Sequence, residues 1–394
     1  MHGMRIRKAT AALVGLLLAG VAATPAQAAT IRSQQWHLDA MKADDIWKIS
    51  TGKGVTVAVI DSGVGSVPEL EGQVLPGKDY AKTYDGSYEG NERNDYDNHG
   101  TTMAALIAGT GKHPSGDGAF GLAPGAKILP IRVPHEFNST RPIWTQAIRY
   151  AADSEAKVIN ISMATEQDDP GRLDAVKYAL SKGKLIFAGV GNDGESTNKV
   201  LYPAATPGVV GVAAVDPNGE ATKESQHGPQ VDMSAPGVDI VTACGGKTGV
   251  CKNHGSSDAT ALASASAALL WSAHPEWTNN QVLRVLLNTA GKPVDGAERN
   301  NGVGYGVVRP KIALPTPGDP GPADVFPLPD LAAAAKNASP SSDGKAPDSA
   351  APKPAPQAEA KKSGSSLLWI GLGLGACVLI GGAVTAVVVR RRNA

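Results

Sequence analysis

Hydrophobic and polar positions divide the chain into a patterned body and two unpatterned ends. Within the body, apolar β-branched runs recur at Val55–Ile60, Ile128–Val133, Val158–Ile161, Leu185–Val190 and Val209–Val215. Each is short and apolar on both faces, the pattern of a strand buried in a parallel sheet. Between them, helical spacing predicts helices over Trp144–Ser154, Arg172–Ser181, Ala259–Ser272 and Asn279–Asn288. Strand and helix alternate, which predicts a doubly wound α/β sheet with helices on both faces. In such a sheet a ligand sits outside the carboxyl ends of the strands. No internal repeat is visible.

The ends follow different rules. Arg5, Arg7 and Lys8 precede an apolar run from Ala11 to Ala23, and Ala26-Gln27-Ala28 follows. A basic start, a short apolar core and a small-x-small site predict a signal peptide over 1–28, cleaved after Ala28. An uncleaved anchor is the alternative, although the core is short for a span. At the other end, Leu367 to Val389 is an unbroken apolar run of 23 residues. As a helix it is about 34 Å long, enough for a hydrocarbon core of about 30 Å. Arg390, Arg391 and Arg392 follow it, so residues 390–394 are expected in the cytoplasm. Residues 314–366 are rich in Pro, Ala, Ser and Lys and poor in large apolar side chains, and are expected to be a disordered stalk. The remaining stretch, 29–313, is the expected globular domain. The prediction is a single-pass protein of the cell membrane with its body on the extracytoplasmic side.

Charge narrows the function. Thirty-seven Lys and Arg balance 37 Asp and Glu, so the chain has no built-in attraction for nucleic acid. Three Cys exclude a disulfide-dense scaffold. Neither His-Glu-x-x-His nor Cys-x-x-Cys occurs, and no catalytic metal or cofactor is expected. Asp95 and Asp97 are a conceivable calcium pair, but a solvated acidic loop is the simpler expectation.

Three segments carry candidate chemistry. Val57-Ala58-Val59-Ile60-Asp61-Ser62-Gly63 ends a buried strand in a carboxylate on the sheet rim; alone it also fits an Asp that caps a turn. Asn98-His99-Gly100-Thr101 opens a helix of small residues, where a lone His has ordinary structural uses. Gly255-Ser256-Ser257-Asp258-Ala259 opens another helix. A Ser there is an N-cap by default, yet a helix start also favours developing negative charge.

Together and in this order, Asp61, His99 and Ser257 resemble the catalytic motifs of the subtilisin-like serine proteases, the subtilases. The resemblance runs over roughly residues 36 to 312. A fourth segment, Gly189-Val190-Gly191-Asn192, stands where the family places its oxyanion Asn. The resemblance implies a subtilisin-like fold and a serine endopeptidase acting on protein or peptide. Ser257 would be the nucleophile, His99 the base and Asp61 its partner; Asn192 and the Ser257 N–H would bind the oxyanion. Ser162, Met163 and Ala164 resemble the strand that pairs with substrate backbone. Departures from the family pattern are Ser256 for Thr, Ala261 for Pro, Ala164 for Gly and, most of all, Asp258 for an apolar residue. A carboxylate there can favour a protonated His99, which leaves open a weak or inactive subtilase-fold scaffold that binds secretion partners. An α/β-hydrolase esterase fits poorly, because Gly-x-Ser-x-Gly is absent around Ser257 and the last His, His274, follows it too closely.

Only about thirty residues separate Ala28 from Asp61, too few for the long propeptide of many secreted subtilases; Gln35 to Trp47 resembles the mature lead-in. Signal peptide, subtilase domain, stalk, one span and an Arg tail are similar in layout to the mycosins, membrane-anchored subtilases of type VII secretion systems. That resemblance implies a type VII membrane complex as partner. Cys244 and Cys251 bracket a Gly-rich loop just before Ser257. In an exported loop a disulfide is the economical expectation and two free thiols the alternative. Cys377 lies in the expected span.

Overall fold

The computed structural model describes residues 29–82, 89–134, 143–167, 170–246 and 249–338. Three short helices lead in: α1 (Ile31–Gln34), α2 (Trp36–Ala40) and α3 (Ala43–Ile46). The body then runs β1 (Thr56–Asp61), β2 (Lys78–Asp79), α4 (His99–Ala108), β3 (Lys127–Arg132), α5 (Ile143–Asp153), β4 (Val158–Ile161), α6 (Pro170–Ser181), β5 (Leu185–Gly189), β6 (Val210–Val215), β7 (Met233–Pro236), β8 (Ile240–Ala243), β9 (Val250–Asn253), α7 (Ser256–Ala273) and α8 (Asn279–Asn288). Two more helices, α9 (Pro310–Ala313) and α10 (Asp330–Ala338), follow.

Seven strands form one sheet in the order β2-β3-β1-β4-β5-β6-β7, and every named pairing in it is parallel. The antiparallel hairpin β8–β9 stands apart. Both faces of the sheet are covered, which is why its strands lack polar alternation. Along β1, Val57 and Val59 enter the layer beneath α4 and α7, while Ala58 and Ile60 enter the layer beneath α5 and α6. Helix α7 is buried almost all round: Ala259, Ala261, Ala263, Ala265 and Ala268 are all fully buried. Small side chains let it lie close under the sheet. Buried hydroxyls on it are satisfied, Ser264 Oγ donating across to Asn160 Oδ1 on β4 at 3.0 Å and Ser266 Oγ to Leu262 O one turn back at 2.8 Å.

The expected strands and helices are present within one to three residues. Strand β7 and the β8–β9 hairpin were not expected. Met-Ser-Ala-Pro carries no β-branched residue, so its strand character comes from pairing with β6 rather than from propensity.

The expected stalk needs a correction over its first part, because residues 320–328 are held against α8 and the core. Arg284 on α8 donates from Nη1 to Pro320 O at 2.7 Å and to Pro322 O at 2.9 Å, and Gln281 Nε2 donates to Gly321 O at 3.0 Å. Thr278 and Asn280 both donate to Ala323 O at 2.9 Å. Leu328 is 2% exposed and joins the core. This segment is held through its carbonyls, which composition does not reveal. The expected signal peptide, the stalk from residue 339, the span at 367–389 and the tail lie outside the described residues. Among the described residues no helix is long and apolar enough to cross a membrane.

Candidate active site

Strand order reverses at β1, whose neighbours are β3 on one side and β4 on the other. The carboxyl end of β1 is therefore the topological switch point, and Asp61 occupies it, fully buried. His99 is the first residue of α4. Its Nδ1 lies 2.7 Å from Asp61 Oδ1. An ionised carboxylate only accepts, so Nδ1 carries the proton and Nε2 is left as the basic nitrogen.

Several groups fix this geometry. Asp61 Oδ1 also accepts from Ser62 N at 2.8 Å, and Gly100 N donates to Ser62 Oγ at 2.9 Å. Gly100 is required: a Cβ there would stand 2.1 Å from Gly63 O. Asp95 caps α4, its Oδ2 accepting from Thr101 N at 2.7 Å and its Oδ1 from Asn98 N at 3.0 Å and Ser62 Oγ at 2.8 Å. Its carboxylate is thus committed to the helix start, so the acidic loop is structural rather than merely solvated. Among the described residues no group of three or more His, Cys, Asp or Glu is placed to hold a metal ion.

Burial by itself lowers the His99 pKa. The Asp61 charge and hydrogen bond outweigh it, Asp97 and Asp258 add to them, and the imidazole is pushed up to about 9.

Ser257 is the second residue of α7. Its backbone N–H falls among the helix-start donors that have no intrahelical acceptor. Its Oγ donates to Ser162 O at 2.8 Å, and Ser162 Oγ donates back to Ser257 O at 3.1 Å. Among the described residues no hydrogen bond joins Ser257 to His99. The two helices that carry them, α4 and α7, pack against each other beneath the same sheet face. A hydroxyl resting on another acceptor is ordinary for a site without substrate.

Asn192 follows the end of β5 and stands at the start of α7. Its Oδ1 accepts from Ser256 N at 2.8 Å, which leaves its amide Nδ2 as the donor end. Ser256 is more than a spacer: its Oγ accepts from Gly191 N at 3.1 Å, stapling the Asn192 loop to the start of α7. Gly255, at φ 131°, admits this approach, since a Cβ there would lie 2.8 Å from Asn192 Nδ2. Ser162, Met163 and Ala164 leave the end of β4 beside Ser257. Thr165 and Tyr202 then exchange backbone hydrogen bonds of 2.8 Å each. Leu201 lies against Gly191, and both Met163 and Leu201 are 8% exposed.

Asp258 is 1% exposed. Burial pushes its carboxyl up to about 7, against the lowering effects of His99, the Asn253 hydrogen bond and His254. Cys244 and Cys251 are disulfide-bonded, with Cα atoms 5.8 Å apart across the β8–β9 hairpin. Gly245 of this hairpin lies against the Asn98 side chain, beside the start of α4.

A carboxylate–imidazole pair, a helix-start serine and an amide donor thus share one sheet edge, an arrangement suited to acyl transfer. Sequence comparison agrees with this geometry. A family model described as "Subtilase family", peptidase S8, matches residues 52–306. The chain is similar to the thermophilic serine proteinase of Bacillus sp. (strain AK1), 34% identical over 256 residues that cover 64% of this chain and 60% of that protein. It therefore spans less than two thirds of that relative's length. It is also similar to mycosin-1 of Mycolicibacterium smegmatis (strain ATCC 700084 / mc(2)155), 30% identical over 335 residues covering 71% of this chain and 72% of the relative. Among solved structures it resembles that of a serine protease MycP1, an essential component of the type VII (ESX-1) secretion system, with a TM-score of 0.61 and 31% identity over 74% of this chain and 90% of that one.

Proposed function

The chain belongs to the subtilase family, and from that premise we propose that it is a serine endopeptidase with Asp61, His99 and Ser257 as its triad. The observation that carries this reading is the 2.7 Å pairing of His99 Nδ1 with Asp61 Oδ1 at the switch point of the sheet, beside the start of the Ser257 helix.

The steps follow from the geometry. A peptide lies along Ser162, Met163 and Ala164 as an added strand, so its backbone is read by hydrogen bonds and its side chains by pockets. The Ser257 hydroxyl turns from Ser162 O to His99 Nε2, loses its proton there and attacks the scissile carbonyl. Asp61 holds the imidazolium that forms. Asn192 Nδ2 and Ser257 N–H stabilise the oxyanion, one such donor being worth about 3–4 kcal/mol in the transition state. His99 then protonates the leaving amine, and water repeats the sequence on the acyl-enzyme.

The address is part of the proposal. Residues 1–28 direct export, residues 339–366 tether, residues 367–389 span the membrane and the Arg tail stays inside. The packed segment over 320–328 belongs to the protease body. Similarity to mycosin-1 and to MycP1 of a type VII secretion system supports a place beside such a machine. A second reading, an inactive scaffold for secretion partners, has one observation in its favour: a buried carboxylate, Asp258, next to the nucleophile.

A fluorophosphonate probe separates the two. Covalent labelling of the wild-type chain, with none of Ser257→Ala, is the expected result. An unlabelled wild type between pH 6 and 10 would leave only the scaffold.

A further inference from the structure

Asp258 is the chemical oddity of this site. It is the third residue of α7, where a carboxylate normally reaches solvent and complements the positive helix end. Here it is 1% exposed, and its Oδ1 has no hydrogen-bond partner. Burying a carboxylate in this way is costly unless a cation faces it. The groups around it are few. Asn253, at the end of β9, donates to it. His254, in the following turn, is already paired with Glu224 at 2.8 Å. From α4 comes His99, with Asp97 beside it, and from β1 comes Asp61 on the far side of the imidazole. Ser162 and Asn192, on the segments that follow β4 and β5, are uncharged. The nearby group that gains a positive charge during catalysis is His99.

Resting on the protease reading above, we propose that Asp258 is a positioning residue for His99: a second, buried carboxylate that holds the imidazolium and so sets the pH above which Ser257 becomes a nucleophile. Asp61 fixes the tautomer through Nδ1, and Asp258 adds charge without touching the reacting atoms. The consequence is a trade-off. An imidazolium held by Asp61 and by the added charges of Asp97 and Asp258 forms readily in the transition state, but it also persists in the resting enzyme, where it cannot accept the serine proton. The enzyme is therefore quiet in acidic surroundings and rises toward alkaline pH. The two charges act on each other: Asp258 helps to raise the His99 pKa, and His99 works against the rise that burial imposes on Asp258.

The test is the pH dependence of fluorophosphonate labelling of the full chain, for wild type, Asp258→Asn and Asp258→Met. Asn keeps the shape and Met replaces the charge with apolar volume, so the two variants fail to fold for different reasons if they fail at all. The expected result is that the acid-side midpoint falls in both variants, with labelling several-fold faster than in wild type near pH 8, where Asp258 is ionised, and little changed at pH 6, where it is protonated. A midpoint that stays put, even with an altered maximal rate, overturns the proposal, since a purely structural Asp258 would move the rate alone. The His99 ring signals, titrated by NMR in Ser257→Ala with and without Asp258→Asn, give an independent reading. If the wild type is never labelled, the protease reading fails. If the ring also titrates unchanged, this proposal fails separately.

Discussion

Asp61 and His99 are joined by a 2.7 Å hydrogen bond, and Asp95, Ser62 and Gly100 hold the two elements that carry them. Ser257, by contrast, rests on the backbone carbonyl of Ser162, with no hydrogen bond to His99 among the described residues. On the proposed protease reading, the acid–base half is built in advance, whereas the nucleophile half is completed on use. A charged pair at a buried strand end must be satisfied at all times, because an unpaired carboxylate there costs several kcal/mol. A hydroxyl carries no such obligation and can trade one acceptor for another at little cost. Substrate that pairs with Ser162, Met163 and Ala164 competes for the same edge and favours the reactive rotamer.

The largest expected effect lies in the prebuilt half. Asp61→Asn retains the shape but presents an amide that can turn its N–H toward Nδ1 and reverse the tautomer. Labelling rate and peptide hydrolysis should both fall by about 10⁴-fold near neutral pH. A loss below tenfold would mean that the imidazole is oriented by something other than this pairing.

Next comes the nucleophile half. Asn192→Ala should lower kcat by about 10²–10³-fold with KM little changed, because its donor acts on charge that exists only in the transition state. Ser256→Ala keeps that donor but cuts the staple between Gly191 N and the helix start. It should cost about 1–3 kcal/mol of stability through the unpaired buried N–H, with a smaller drop in kcat. Equal kcat losses in the two variants would show that Asn192 is a second staple rather than an oxyanion donor.

How much of this was legible in the sequence differs between the two halves. Asp61, His99, Asn192 and Ser257 each stand at the end of a strand or the start of a helix whose apolar pattern is strong, so the motifs and the switch point could be read together. What escaped reading were the roles of connecting groups. Ser256 stands in the sequence only as a departure from the family's Thr, but its hydroxyl and N–H tie it to the Asn192 segment, about 64 residues away. Asp95 was read as part of a solvated acidic loop, but it caps α4. Residues 320–325 fall in the expected stalk because the stretch is poor in bulky apolar side chains; α8 and its cap hold them by their carbonyls, which every residue possesses. Pattern reading finds surfaces that avoid water, and these groups act through backbone hydrogen bonds that leave no periodicity.

The smallest effects concern stability against pH, and they separate the halves by window. The folded-state pKa of His99 is raised from 6.5 to about 9. Its contribution to stability is therefore fully present below about pH 6.5 and disappears as pH rises through 9. Asp258 is raised from 3.8 to about 7, so its contribution is present below about pH 4 and is lost as pH rises through 7. Thermal unfolding of His99→Gln and Asp258→Asn, each compared with wild type across pH 4 to 10, reads both. The Tm deficit of His99→Gln should shrink mainly between pH 6.5 and 9, and modestly, because the ring is 35% exposed. Asp258→Asn should gain on wild type between pH 4 and 7 and then hold level. The two groups share a charge interaction, so their windows overlap near pH 7. Should both differences change over a single window, the halves titrate as one unit, and the separation drawn between a prebuilt base and a late-completed nucleophile would not extend to their charges.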